Sequence, residues 1–334
     1  MAKKRLEKII RLPFRDSSIN LIQTDDVNTW DYLLSKSEQL NIFMTSSYLY
    51  ASEREFSIYL ISHNDSYIGG FVDFLDVDSF RDGKVSDFST YQSFFFCHDL
   101  SKSSASNLEL EVMYAVTSLL VELRINFDLS LHHSIVDSRA FDWLNYDLGR
   151  KVVRFRDKYT GLIDLRNMSF DDYFYSLKSS RKAEFEKSRA RLSLDVATEN
   201  DIDSFTNLYA EMFADKGIIV PPTKLQVIRR IILTSQLNGS GVLTLANDKE
   251  SGDLVGGVLI QSDISTSYYH FACSNHRGKS HNAPTLLMLN SIKDAINRGV
   301  TWFDVVGINS PKRGFYKSSF GTQPYRYIEV SNAE

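Results

Sequence analysis

The order of elements in this chain repeats itself, and that narrows its possible folds more than any single motif does. Ser57-Ile58-Tyr59-Leu60-Ile61-Ser62, a polar turn at His63-Asn64-Asp65-Ser66 and the run Tyr67-Ile68-Gly69-Gly70-Phe71-Val72 read as a hairpin. Val242 to Ala246, a turn over Asn247 to Asp253 and Leu254-Val255-Gly256-Gly257-Val258-Leu259-Ile260 read as a second one. Each copy then offers a strand, a helix and another strand carrying Phe-Asp, at Phe127-Asp128 and Phe303-Asp304. Supersecondary order repeated in this way predicts a duplicated α/β module, a mixed sheet flanked by helices in each copy. At 334 residues the chain exceeds what one core usually supports. Two domains are expected, 1–160 and 161–334.

The second copy ends in the most legible stretch. Asn282 is placed as an N-cap, Pro284 falls in the first helical turn, and Leu289, Ile292 and Ile296 recur at helical spacing. Gly299 is placed to end that helix in a left-handed conformation. Val300 to Val306 is β-branched and aromatic, as a strand in a covered sheet should be. An irregular loop with polar and aromatic groups, Gly314-Phe315-Tyr316-Lys317, follows.

Composition excludes several classes. The chain is 43% hydrophobic and 24% charged with a net charge of −4, so no global field draws it to DNA. The basic N-terminus, Met1 to Lys8, lacks the apolar run of a secretion signal, and no segment reaches the length of a membrane span. A cytoplasmic protein is expected. Cys97 and Cys273 sit alone on apolar strands and are expected to be reduced. His63, His98, His132, His133, His270, His276 and His281 show no metal spacing, and no nucleotide P-loop, dinucleotide fingerprint or Ser-His-Asp order occurs.

Hairpin, strand, loop, helix, strand and aromatic loop, in that order, resemble the GNAT acyltransferase fold. Phe315-Tyr316-Lys317-Ser318-Ser319-Phe320-Gly321 is similar to the Leu-Tyr-x-x-x-Gly-Phe ending common in that superfamily. More narrowly, Ser180-Arg181-Lys182 to Ala190, the helix and strand from Thr285 to Gly307, and the Gly307-Ile308-Asn309-Ser310-Pro311 run resemble the tandem-GNAT proteins of the Fem-type and CelD-like group. That resemblance spans most of the chain. It implies a donor strand ending at Cys273, a donor loop containing Arg277, Gly278, Lys279 and Asn282, and a splayed partner strand from Val300 to Val306. It also implies an acyl-CoA donor and an amine acceptor, such as an amino sugar or a cell-surface glycan precursor. Fem-type members instead take an aminoacyl group from tRNA, so aminoacyl-tRNA is the alternative donor. The loop departs from the usual Arg/Gln-x-x-Gly-x-Gly/Ala in lacking the second glycine, because Ser280-His281-Asn282-Ala283 follows Lys279. A non-catalytic binding protein is the alternative from another class.

Each candidate residue has a second, structural reading. Arg277 and Lys279 can hold a phosphate beside a helix N-terminus, or form a solvated basic loop. Tyr316 can give the leaving group a proton, and Lys317 can stabilise developing negative charge. Neighbours on a strand point oppositely, so both face one site only if the segment is helical. Asp304 can act as a base if desolvated, but a pairing with Arg326 or the capping of a loop is the favoured reading. Glu211 and Asp215, four apart on a helix, can accept a proton from the acceptor or simply face water. Tyr91, Gln92 and Asn309 are expected on the acceptor side. The charged helix from Lys178 to Arg191 reads as solvated, with contact to tRNA as the alternative.

Overall fold

A computed structural model describes residues 9–12, 18–74, 88–97 and 102–332. Met1 to Lys8 and His98 lie outside them. The chain forms two compact units, residues 1–158 with 326–334 and residues 159–325. The last residues therefore lie with the first unit and not the second. The cause is strand pairing: Glu329, Val330 and Ser331 in the final strand (Gln323–Asn332) lie antiparallel to Ser130, Leu129 and Asp128.

In the first unit, β1 (Ile9–Arg11), β2 (Ile19–Thr24), β3 (Phe56–His63), β4 (Ser66–Phe74) and β5 (Phe94–Phe96) form a sheet in chain order, every pair antiparallel. The β3–β4 turn is the expected one: Asn64 and Asp65 both take positive φ, 47° and 62°, as a two-residue hairpin loop requires. Ile58 and Leu60 pack with Trp30 and Leu34 of helix α1 (Val27–Ser35), whereas Tyr59 and Ile61 join the core containing Val112, Val116 and Leu120 of α3 (Lys102–Glu122). Both sheet faces are thus covered, and an unbroken apolar run such as Ile58-Tyr59-Leu60-Ile61 can be a strand. The short helix α2 (Ser46–Ala51), β6 (Asp128–Ser130) and α4 (Arg139–Asp147) complete the unit. Of the strand expected over Ser89 to Phe96, the ladder takes only β5, while Gln92 makes an isolated bridge to Ser130. Val152 to Leu165, read as two strand-like runs, is the single strand β7 (Val153–Asp164).

In the second unit the strand order is β7, β12 (Trp302–Asp304), β11 (Thr266–Ser274), β10 (Leu254–Ser262), β9 (Gly241–Asp248) and β8 (Leu192–Val196). Every neighbouring pair is antiparallel except β11 and β12. Parallel neighbours need a crossover, and the helix α10 (Ala283–Arg298) supplies it, ended by Gly299 at φ 75°. Two helices come before the β9–β10 hairpin, α7 (Ile202–Ala214) and α8 (Pro222–Leu237), and two more open the unit, α5 (Phe170–Ser176) and α6 (Ser179–Arg191).

The repeated glycine pair has the same physical cause in both units. A Cβ built on Gly70 would lie 2.6 Å from the Trp30 ring of α1, and one on Gly257 would lie 2.8 Å from the Phe205 ring of α7. In each unit a helix presses an aromatic ring onto the return strand, and only hydrogen leaves room for it. Gly256 faces the opposite way, toward Ala283 and Leu287 of α10. Helices therefore cover both faces of the second sheet as well.

Candidate active site

β11 and β12 pair at Thr266–Trp302, Ser267–Phe303 and Tyr268–Asp304, and the pairing stops there. β11 runs on beside β10 as far as Ser274, so from Tyr269 onward its other edge has lost β12. The strand expected over Val300 to Val306 is cut to Trp302–Asp304 because Val306 and Gly307 adopt φ of 51° and 73°. A β-branched residue in the left-handed region is a genuine outlier, held there by its surroundings. Its effect is visible in the carbonyls. Successive carbonyls of a strand alternate in direction, yet Val305, Val306 and Gly307 all accept from one ammonium, Lys317 Nζ, at 2.5, 2.7 and 3.2 Å.

Lys317 and Tyr316 reach this place together because their segment is a helix, α11 (Pro311–Ser318), and not the expected loop. Enclosure lowers the Lys317 pKa to about 8; the nearby Asp304 charge works against that, and Arg313 adds to it. Tyr316 Oη is buried near Thr285, and no hydrogen-bond partner satisfies it. Burial first, then neighbouring Tyr269, raises its pKa well above the ordinary phenol range. It stays a hydrogen-bond donor at every physiological pH. Tyr269 comes to the same side through a register shift in the β10–β11 ladder, which pairs Leu259 with Phe271 but Ile260 with Tyr269.

Asp304 is buried, with 1% exposure. It accepts from the Thr160 hydroxyl and from Val306 N, the latter at 2.7 Å. Arg326 pairs with Asp157 at 3.6 Å instead. Asp304 therefore caps the 304–307 turn, and its charge also faces Lys317.

The sequence reading missed Arg181 and Glu184, because charges on a polar helix look solvated. Arg181 Nε donates to Ser319 Oγ at 2.8 Å, its guanidinium pairs with Glu184, and it lies 5.0 Å from the Tyr316 ring centroid. Glu184 also accepts from the Thr285 hydroxyl at 2.8 Å. This network ties α6 to the end of α11 and the start of α10, and so fixes Tyr316 and Lys317. The signal in the sequence was Arg181 and Glu184 on one helix face, three residues apart.

Other candidates lie elsewhere. Arg277 is engaged by Asp248 at 2.8 Å, Glu250 at 3.6 Å and Asp253 at 3.9 Å, so its charge is already countered. The expected open donor loop is instead the short helix α9 (His276–Ser280). Gly278 N donates to Asn275 Oδ1, and Lys279, His281 and Asn282 donate to Asn275, Arg277 and Lys279 carbonyls. These four amides are thus used within the segment. Gly278 is required by contact: a Cβ there would meet Val255 O at 2.1 Å. Asn282 occupies the N-cap position at φ 58° but caps nothing with its side chain. Lys279 is exposed. Cys273 is buried toward α7, with Sγ 3.9 Å from Phe205 O, and burial raises its pKa beyond reach of a thiolate.

Glu211 lies on the exposed side of α7 and Asp215 at its C-cap. Tyr91 and Gln92 belong to the first unit's interior, each 1% exposed, so they line no open surface. Tyr91 packs edge-on against Phe43, His132 and Tyr327, and Gln92 accepts from Arg54 while donating to Phe43 O. Asn309 clamps the Tyr159 backbone with both ends of its amide, at 2.8 and 2.9 Å. Its groups are used in holding the loop. Among the described residues no cluster of three or more His, Cys, Asp or Glu side chains could hold a metal ion, and no helix is long and apolar enough to cross a membrane.

Comparison with known proteins bears on the fold. Residues 173–318 match the model of a GNAT acetyltransferase domain. Among solved structures, FemX superposes over 91% of this chain and 96% of its own, with a TM-score of 0.65 and 11% identity. A tandem GNAT protein from the clavulanic acid biosynthesis pathway superposes over 95% and 98%, with a TM-score of 0.53 and 11% identity. A GNAT-family acetyltransferase from Colwellia psychrerythraea covers 95% and 99%, with a TM-score of 0.53 and 10% identity. No curated protein matches in sequence. At these identities the likeness to the solved structures is one of fold.

Proposed function

We propose, from the premise that this chain is an acyltransferase with a Fem-like tandem GNAT fold, that it acylates an amine in the gap between β11 and β12. The observation that carries the reading is a pair of successive residues where two parallel strands part: Lys317, an enclosed ammonium 5.9 Å from the Tyr269 ring centroid, and Tyr316, whose buried hydroxyl has no partner and also feels Tyr269. Attack by a neutral amine on an ester or thioester carbonyl forms a C–N bond and places negative charge on the carbonyl oxygen. Tyr316, whose hydroxyl has no partner, would donate to that oxygen, and Lys317 would do so on releasing one of its three carbonyls. Collapse breaks the C–O or C–S bond, the leaving group takes a proton, and the acceptor nitrogen gives one up. Fixed donors aimed at developing charge are the strongest aid available to such a reaction, with positioning second.

GNAT domains generally use acyl-CoA, and that is the first donor to test. The alternative, an aminoacyl ester on tRNA, draws support from one observation: Arg277 and four amides of the 277–282 segment are already engaged. The acceptor, an amine of an amino sugar or glycan precursor, is assigned by analogy with Fem-type proteins. The deciding experiment is single-turnover transfer to a model amine from acetyl-CoA and, separately, from charged tRNA. Product from either donor supports the transferase. No product from either, across a panel of amines, leaves a binding protein.

Two substitutions refine the reading. Arg277→Ala is expected to lower the melting temperature, because it strips Asp248 of its cation, yet to leave the donor KM within about twofold. A tenfold rise in KM with an unchanged melting curve would return Arg277 to the donor site. Asp304→Asn keeps an acceptor for Thr160 but removes the negative charge that holds the Lys317 pKa up. The alkaline limb of the pH–kcat profile is therefore expected to move to lower pH. A limb that stays in place would detach Asp304 from Lys317.

A further inference from the structure

Beside the parted strands, three segments of the second unit present cations and bare apolar side chains together. Lys216 follows the C-cap of α7, Lys279 lies on α9 and Arg313 on α11, and the charges of Lys279 and Arg313 both act on Lys216. Arg313 also acts on Lys317, which places this face next to the gap. Ile218 and Ile219 follow Lys216 closely in the chain and Phe315 follows Arg313, and the three are exposed by 50%, 88% and 82%. Local structure forces that exposure. Gly217 at φ 73° ends α7, Ile218 N closes back on Phe213 O at 3.0 Å, and the chain leaves outward toward Pro221 and Pro222. On α11, Gly314 is buried and the Tyr316 hydroxyl and Lys317 ammonium turn inward, so Phe315 points out.

We propose that this face docks on an anionic lipid surface, with Ile218, Ile219 and Phe315 entering the acyl boundary and Lys216, Lys279 and Arg313 meeting the headgroups. Exposed apolar side chains grouped in this way mark an interaction site, and interleaved cations are what an interfacial membrane contact requires. Glu211 and Asp215 on the same stretch of α7 set two acids against these three cations, and Asp215 acts on Lys216 against the other two. At −4 the whole chain is repelled by an anionic bilayer, so any attraction requires a local cluster of cations such as this one. A single-stranded nucleic acid would also meet the cations. It binds by stacking bases on aromatic rings, however, and two of the three exposed apolar side chains here are aliphatic. The inference stands apart from the transfer reading, since its readout is binding and not turnover.

The test is co-sedimentation of the full chain at low salt with vesicles of phosphatidylcholine alone and of phosphatidylcholine mixed with phosphatidylglycerol. Binding to the mixed vesicles only is expected, weakening as salt is raised. Ile219→Ser with Phe315→Ser, and separately Lys216→Gln with Arg313→Gln, should each lower the apparent affinity by about tenfold or more, with melting temperatures unchanged. The proposal is overturned by absent or equal binding to the two vesicle types, or by variants that bind like the parent. It is also overturned if a short single-stranded RNA binds through these residues while the vesicles do not.

Discussion

Lys317→Met should lower kcat by roughly two to three orders of magnitude, the usual cost of deleting a donor to a developing oxyanion, and should remove the alkaline limb of its pH profile. The ammonium is present below about pH 8 and lost above it, so the parent enzyme is expected to slow as pH rises through that value. The variant has nothing there to titrate. Stability supplies a second readout of the same residue. Its folded pKa lies below the ordinary lysine value of 10.5, so between pH 8 and 10.5 this side chain holds more of its proton in the unfolded chain than in the folded one. In that window this residue's contribution to stability rises with pH. The depression is worth about 3 kcal/mol across the window. Above pH 10 the buried Tyr268, Tyr269 and Tyr316, whose pKa values are raised, turn the slope the other way, so the measurement belongs below that. Denaturant titrations of parent and variant at pH 7.5 and 9.5 would show the rise in the parent alone. A variant that retains kcat within tenfold would take Lys317 out of the chemistry, whatever its effect on stability.

Gly69→Ala should destabilise the protein by about 3 kcal/mol or more, at the upper end of what overpacking costs. The added Cβ would meet Phe95 O at 2.1 Å and Phe96 Cα at 3.1 Å. These are backbone atoms, which cannot rotate away as a side-chain tip can. Relief requires β5 to leave β4, and with it go the pairings Gly69–Phe96, Gly70–Phe95 and Phe71–Phe94. Three phenylalanines, each at most 4% exposed, would lose their cover. Gly239→Ala is the control. Nothing lies within 4 Å of a Cβ there, but φ is 74°, so only conformational strain of about 1 kcal/mol is expected. Equal losses in the two variants would mean that the pair of glycines serves backbone freedom and not close approach.

These cases mark where reading the residues succeeds. The helix Ala283–Arg298 was legible because proline, apolar spacing and Gly299 act locally. The glycine pairs were legible as a repeat, but their cause was not, since Trp30 and Phe205 meet them from distant parts of the chain. The strand over Val300 to Val306 was overread because β-propensity at Val306 is overridden by carbonyls gathered on Lys317. Likewise α11 was read as a loop, since a short helix with Gly314 in it carries little propensity of its own. Gly314 is there because a Cβ would strike Ile308 O at 2.4 Å. Arg181 and Glu184 stayed hidden for a different reason: what makes them part of the site is Ser319, Thr285 and Tyr316, more than a hundred positions away on average.

The cage around Lys317 has one more implication. An ammonium has three hydrogens, and here every one already ends on a backbone oxygen. A newcomer can be served only after a resident lets go, and Gly307, whose link is the longest at 3.2 Å, is the natural one to release. The resting ammonium is in that sense latched, and Gly307 is where the latch would open.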